Sequence, residues 1–220
     1  MKNFDTEKFS KLLNTAKFGR KMAYFSTISS TNDYSAELIK NTRAIDLKGL
    51  DGTLVLAEIQ TCGRGRFRRK WLSPEGGLWF SLIFTADLRP EELPNLTLIA
   101  AFSISEALMD TYSISVDIKW PNDLYYGEYK FGGILSELKK EGQLQIMILG
   151  AGLNVNICDT DISKLESAVT SIQKILGKTA DRELLMAKIL GNFERSYNYF
   201  STTGDFGTLF KKMEKSIRYQ

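Results

Sequence analysis

Between Thr53 and Asn156 the chain carries a succession of short apolar and β-branched runs punctuated by glycine and proline, and this succession limits the possible folds more than any other feature. Thr53–Gln60 (TLVLAEIQ), opened by Gly52, and Leu78–Thr85 (LWFSLIFT) have the length and side chains of buried strands. Residues 115–120 read as a further strand ended by Pro121, and residues 123–126, 129–139 and 143–156 read as a meander turning near Gly127 and Gly142. Helical patterns lie around and between these runs. Ser30, Thr31, Asn32 and Asp33 offer capping side chains ahead of a helix in SAELIKNTRAI. Residues 96–112 are apolar on most sides and predict an interior helix, and residues 162–176, 182–200 and 206–217 complete the helical set. Strands clustered mid-chain with helices to either side predict an α+β domain: a mixed, largely antiparallel sheet backed by helices.

The 220 residues suit a single domain spanning 1–220, long enough to bury a real core. A net charge of +3 is too mild to imply nucleic-acid binding by itself. With no histidine, a Ser-His-Asp triad, a Cys-His pair and histidine metal sites are excluded, so proton transfer must use Lys, Asp, Glu, Tyr or water. Two distant cysteines, Cys62 and Cys158, make neither a disulfide framework nor a zinc site and read as reduced thiols. The first residues lack the apolar core of a secretory signal, and no stretch approaches the ~20 apolar residues of a membrane helix, so a cytoplasmic protein with no membrane partner is expected.

Charge is concentrated locally. In residues 63–70, GRGRFRRK, five of eight residues are cationic and none is acidic. The run has three readings: a solvated surface loop, a nucleic-acid patch using Phe67 and Trp71, or a phosphate clamp in which forked guanidinium groups meet an anion. Taken alone, it reads as a surface loop. Two familiar nucleotide motifs fail: Arg68 stands where a dinucleotide fingerprint needs its third glycine, and Ile172 stands where a P-loop ending at Gly177-Lys178-Thr179 needs its first. Gly177 reads instead as a helix stop, with Thr179 or Asp181 capping the next helix. Lys119-Trp120-Pro121-Asn122-Asp123 ends a strand where side chains leave the sheet, and Asp123 has the chemistry to hold Mg²⁺ through water. Lys130 precedes Gly132 and Gly133, which allow close backbone approach.

Taken in order, GRGRFRRKW with Ser73-Pro74 and Gly76-Gly77, KWPNDLYY, KFGGIL from Lys130 and GAGLNVN from Gly150 resemble the biotin protein ligase family, also called biotin–[acetyl-CoA-carboxylase] ligases. Ser30-Thr31-Asn32 and Gln60 match as well, and several motifs in one order are far more specific than any one alone. The resemblance implies a class II synthetase-like biotin/lipoate ligase catalytic fold and a reaction in two steps. Biotin and Mg·ATP give biotinyl-5′-AMP and pyrophosphate, and the biotinyl group then passes to one lysine of a biotin carboxyl carrier protein. The residues present suit that chemistry, because a carboxylate attacking an α-phosphate needs cations to offset repulsion between anions.

The resemblance also implies roles. Ser30, Thr31, Asn32 and Gln60 would contact biotin, with Gly63, Arg64, Gly65 and Arg66 closing over it. Arg66, Arg69, Trp71, Asn122 and Asn154 would hold the nucleotide, with Asp123 near its Mg²⁺. Lys130 would reach the reacting carboxylate and α-phosphate, with Arg64 beside it, while Gly132, Gly133, Gly150 and Gly152 would let the sheet floor approach the ligand. Many members begin with a helix-turn-helix domain and end with a small SH3-like barrel; neither is expected here, so DNA binding is not expected, and a monomer and a homodimer stay equally open. A lipoyl or octanoyl ligase of the same fold, a nucleic-acid-binding module and an inactive ligand sensor are the alternatives. The central expectation is that Arg64 and Lys130 converge on one pocket.

Overall fold

The computed structural model describes residues 2–86, 88–157 and 168–218. Its strands are β1 (Lys21–Ile28), β2 (Thr53–Gln60), β3 (Leu78–Thr85), β4 (Asp117–Lys119), β5 (Asp123–Tyr126), β6 (Tyr129–Glu141), β7 (Leu144–Leu153) and β8 (Ile217–Arg218). The helices are α1 (Thr6–Leu12), α2 (Thr31–Asn41), α3 (Leu93–Tyr112), α4 (Ile172–Leu176), α5 (Arg182–Thr203) and α6 (Phe206–Met213). The strands form one sheet in the order β1-β2-β3-β7-β6-β5-β4-β8. Only the outer pairs β1–β2 and β4–β8 are parallel, so the sheet is mixed and largely antiparallel, as the sequence predicts.

Alternation along the central strands sorts their side chains between two layers. Leu54 and Leu56 of β2, Leu78, Phe80, Leu82 and Phe84 of β3, and Met147, Leu149 and Leu153 of β7 join the large core shared with α3 and α5. Val55, Ile83, Ile146 and Ile148 point the other way and pack with Ile39 of α2. Each fully buried Leu, Ile or Phe contributes about 1.5–3 kcal/mol, so the first, larger layer carries most of the stability. The second is thinner, and toward the C-terminal end of β7 it gives way to Gly150 and Gly152, where the sheet surface lies bare of side chains.

Helix α3 is largely buried from Leu96 to Leu108, as its all-round apolar pattern predicts, while Met109 and Asp110 near its end are exposed. The Ser30 side chain accepts a hydrogen bond from the Asp33 amide at 3.3 Å, and this cap places Thr31, Asn32 and Asp33 in the first turn of α2. Gly177, at φ 67°, ends α4, and Asp181 caps α5 by accepting from the Leu184 amide.

The structure corrects the sequence expectations at several ends. Residues 206–217 are not one helix: α6 stops at Met213, Glu214–Ser216 make a 3-10 turn, and Ile217–Arg218 add a strand alongside β4. The unpaired edge of β4 and the ion pair between Arg218 and Asp117 at 2.7 Å draw that end into the sheet. Buried Leu209 and Met213 dock α6 on the domain. Of the helix expected over 162–176, the part from 162 to 167 lies outside the described residues, as does Cys158, and α4 begins only at Ile172. Helix α1 and strand β1 were not expected from periodicity.

Candidate active site

Five segments meet above the bare stretch of the sheet. They are the first turn of α2, the basic run after β2, the β4–β5 connection, the start of β6 and residues Ala168 to Thr170. Together they enclose a cavity of about 700 Å³. Gly150 and Gly152 face it from one strand, about 7 Å apart along the chain at 3.4 Å per residue. Gly133 sits opposite Gly152 on β6.

One end is a neutral hydrogen-bonding network. The Thr31 amide donates to Gln60 Oε1 at 2.8 Å, and Gln60 Nε2 donates to Ser73 Oγ at 2.8 Å. Ser81 Oγ lies 2.8 Å from Thr31 Oγ1 and 2.6 Å from Asn32 Oδ1, and Asn32 Nδ2 donates to the Leu135 carbonyl. A Cβ on Gly150 would stand 2.0 Å from Asn32 Oδ1, so glycine here makes room for the asparagine itself. Ser30, Thr31 and Asn32 are buried, and their polar atoms are held in set directions by bonds that a side-chain loss would strand.

The other end is charged. Lys130 Nζ pairs with Asp123 Oδ2 at 2.7 Å and lies 5.2 Å from the centre of the Trp71 ring. Asn122 Nδ2 donates to Asp123 Oδ1, and Arg66 Nη1 donates to Asn122 Oδ1 at 2.8 Å. A register shift at Leu124/Tyr125 skips Phe131, and Lys130, paired with Tyr125 of β5, bonds on its other side with Ala168 and Thr170. Burial, followed by the Asp123 carboxylate, raises the Tyr125 phenol above its ordinary range, so it stays protonated at neutral pH. Asn154, also buried, faces the cavity and ties down this segment through the Thr170 carbonyl.

The basic run is a short, closed excursion. Arg64 and Lys70 bridge across it, the Gly65 amide donates to the Arg69 carbonyl at 2.8 Å, and the Trp71 amide donates to the Gly63 carbonyl at 2.9 Å. The left-handed backbone falls on Phe67 and Arg68, at φ 55° and 59°, not on the glycines. Arg64 turns inward, its Nε 3.0 Å from Asp33 and its Nη2 2.8 Å from Glu137. The Trp71 ring covers the floor at Gly133 and Gly152, where added Cβ atoms would come within 3.2 and 2.5 Å of it.

Of the residues singled out from sequence, Ser30, Thr31, Asn32, Gln60, Arg64, Gly65, Arg66, Arg69, Trp71, Asn122, Asp123, Lys130, Gly133, Gly150, Gly152 and Asn154 all line this one cavity. Gly63 and Gly132 do not. Gly63 is needed because a Cβ there would lie 2.4 Å from the Trp71 carbonyl, and Gly132 faces the core beside Leu153 and Leu124. Among the described residues no group of three acidic, cysteine or histidine side chains is placed to hold a metal. Lys130 holds Asp123 Oδ2 and Asn122 holds Oδ1. Sequence reading missed Ser73 and Ser81 in the neutral network and Asp33 and Glu137 beside Arg64.

Comparison with known proteins places this site in context. A family model described as the biotin/lipoate A/B protein ligase family matches residues 24–154. The chain is 37% identical over 195 residues to the bifunctional ligase/repressor BirA of Bacillus subtilis, covering 87% of this chain and 58% of that protein. It is 29% identical to biotin–protein ligase 2 of Arabidopsis thaliana, covering 97% of this chain and 62% of the relative. The chain therefore spans about three fifths of the length of these relatives. Among solved structures, the biotin protein ligase from Aquifex aeolicus in complex with biotin and ATP superposes with a TM-score of 0.72 at 33% identity, covering 90% of this chain and 78% of that one. No helix among the described residues is long and apolar enough to cross a membrane.

Proposed function

Because the chain belongs to the biotin/lipoate A/B protein ligase family, we propose that it activates biotin with Mg·ATP to biotinyl-5′-AMP and transfers the biotinyl group to a lysine of a biotin carboxyl carrier protein. The observation that carries this reading is that the neutral network and the cationic cluster sit at opposite ends of one glycine-floored cavity. A ureido ring has both N–H donors and a carbonyl acceptor, which suit the fixed polar atoms of Ser30, Thr31, Asn32 and Gln60. An apolar dithiolane ring offers those groups neither donor nor acceptor. This supports biotin over lipoate, as do relatives named for biotin.

In this reading the biotin carboxylate reaches the charged end. One carboxylate oxygen attacks the α-phosphorus, the P–O bond to pyrophosphate breaks, and negative charge builds on the phosphoryl oxygens. Lys130 leaves Asp123 to bridge carboxylate and α-phosphate, offsetting that charge without moving a proton. Arg66, Arg69, Asn122 and Asn154 hold the nucleotide, and Trp71 packs against it. Magnesium enters as part of the co-substrate, with Asp123 nearby. The carrier lysine, as its neutral amine, then attacks the acyl carbon, the acyl C–O bond to the phosphate breaks to release AMP, and the proton shed by the nitrogen passes to water. A loop covering the anhydride keeps water out between the two steps.

The nucleic-acid reading is weakened by Arg64 and Arg66, whose guanidinium groups turn toward Asp33, Glu137 and Asn122. The test is mass spectrometry of a biotin carboxyl carrier domain incubated with the protein, Mg·ATP and either biotin or lipoate. One biotinyl group is expected, lost with Lys130→Ala. Lipoyl addition, or no addition together with tight, salt-sensitive polyanion binding, overturns the reading.

A further inference from the structure

Arg64 is the residue whose placement departs most from a ligand-contact role. Its Nε and Nη2 are both taken by protein carboxylates, Asp33 in the first turn of α2 and Glu137 on β6. Those two carboxylates belong to different layers of the fold, and the arginine belongs to neither. It lies in the basic run, 73 residues before Glu137. Glu137 is the better-shielded partner, at 23% side-chain exposure against 46% for Asp33, and its Oε2 is buried without a hydrogen-bond partner. A carboxylate half-satisfied in this way is costly unless its other oxygen is firmly paired. Within the run, Phe67 and Arg68 hold left-handed backbone that non-glycine residues disfavour. Beyond its own backbone bonds, the run is tied to the β4–β5 connection by Arg66 and Asn122, and the Arg64 fork is the charged cross-link it makes to both α2 and β6.

We infer that Glu137, assisted by Asp33, is a positioning residue that latches the basic loop over the pocket through Arg64. Arg64 then acts by fixing the loop's closed form, and Arg66, Arg69 and Lys130 face the reacting anions. The latch presents the loop already closed, so less of the ligand's binding energy goes to ordering it. Its kinetic consequences rest on the biotin-adenylation reading; its structural consequence does not.

The test is amide hydrogen exchange of the substrate-free protein at Gly65, Arg69 and Trp71, whose amides close the loop, compared with the β3–β7 ladder. Glu137→Gln and Asp33→Asn are each expected to speed exchange at the three loop amides, by about fivefold for Glu137→Gln, given partly exposed ion pairs, and by less for Asp33→Asn. The ladder should be unchanged. Adding Arg64→Gln to Glu137→Gln should give no further increase beyond Arg64→Gln alone. If Glu137→Gln speeds exchange throughout the sheet, the more exposed Asp33→Asn variant decides the matter. Unchanged loop exchange in Asp33→Asn in that case, or in both variants, overturns the latch. In turnover, Glu137→Gln should raise the biotin KM severalfold with kcat for adenylation retained, and Glu137→Asp should recover part of that loss. A kcat loss with KM unchanged also overturns it. A protein that makes no adenylate at all, yet shows the exchange pattern, would sink the ligase reading and leave the latch standing.

Discussion

Replacing Gly150 with alanine tests whether the floor of the pocket is built around Asn32. The added methyl carbon would stand 2.0 Å from Asn32 Oδ1, 2.8 Å from its Cγ and 3.0 Å from its Nδ2, so the asparagine must rotate away or β7 must move. The strand is held on both sides, Gly150 pairing with Ser81 on β3 and with Leu135 on β6, so the side chain gives way first. Rotation breaks the 2.6 Å bond from Ser81 and the 3.3 Å bond to the Leu135 carbonyl. One buried and one part-buried hydrogen bond at about 1 kcal/mol each, with some overpacking, give a loss of about 2–4 kcal/mol. Urea unfolding at pH 7 reads this as a lower midpoint with an unchanged slope. Isothermal titration with biotin should show a parallel loss of affinity, because Asn32 no longer presents its amide. A stability change under about 0.5 kcal/mol, the usual scale of a harmless substitution, would refute the reasoning.

Other consequences can be checked alongside it. Gly191 lies inside α5 with nothing within 4 Å of an added Cβ, so Gly191→Ala should stabilise the protein by about 0.5–1 kcal/mol, read as a higher melting temperature; a decrease would contradict the helix assignment. Burial raises the Glu58 carboxyl, but hydrogen bonds from Arg182, Tyr24 and the Phe4 amide reverse this and hold it below its ordinary 4.5. A carboxyl lowered on folding stabilises the native state above its unfolded value and loses that contribution as pH falls through the folded one. Asp205 behaves alike, lowered from 3.8 to about 2 by Thr208. Urea midpoints should therefore fall as pH drops from 4.5 toward 2, with the steepness reduced in Glu58→Gln; an identical slope in that variant would contradict the assignment. At pH 7 the same variant should cost about 3 kcal/mol, because it leaves Arg182 buried opposite a neutral partner.

Much of the fold was legible because its strands are marked at both ends. Gly52 opens β2, and Gly127 and Gly142, both at positive φ, turn β5 into β6 and β6 into β7. Strand β1 was not, because Lys21–Ile28 lies at a sheet edge and is half exposed, which blurs the apolar alternation. Strand β8 has two residues, and a pairing made by so short a piece depends on the neighbouring edge rather than on its own sequence. In the site, the clustered residues of the basic run, the KWPND strand end and Lys130 were legible as motifs. Asp33 and Glu137 were not, since a carboxylate at a helix start or on a strand reads as a solvated face until the chain brings an arginine to it. In the basic run the left-handed turns fall on Phe67 and Arg68, not on the glycines, and Gly63 is required by the nearby Trp71 carbonyl.

The claim on which the rest depends is that Lys130 and its neighbours join a biotin carboxylate to the α-phosphate of ATP. Stopped-flow measurement of pyrophosphate release, with Mg·ATP, no carrier, and biotin or lipoate as the acid, addresses it directly. A biotin-dependent burst matched by biotinyl-5′-AMP, absent with lipoate and in Lys130→Ala, is the expected result. Equal release with and without biotin, or a burst driven by lipoate, would contradict it.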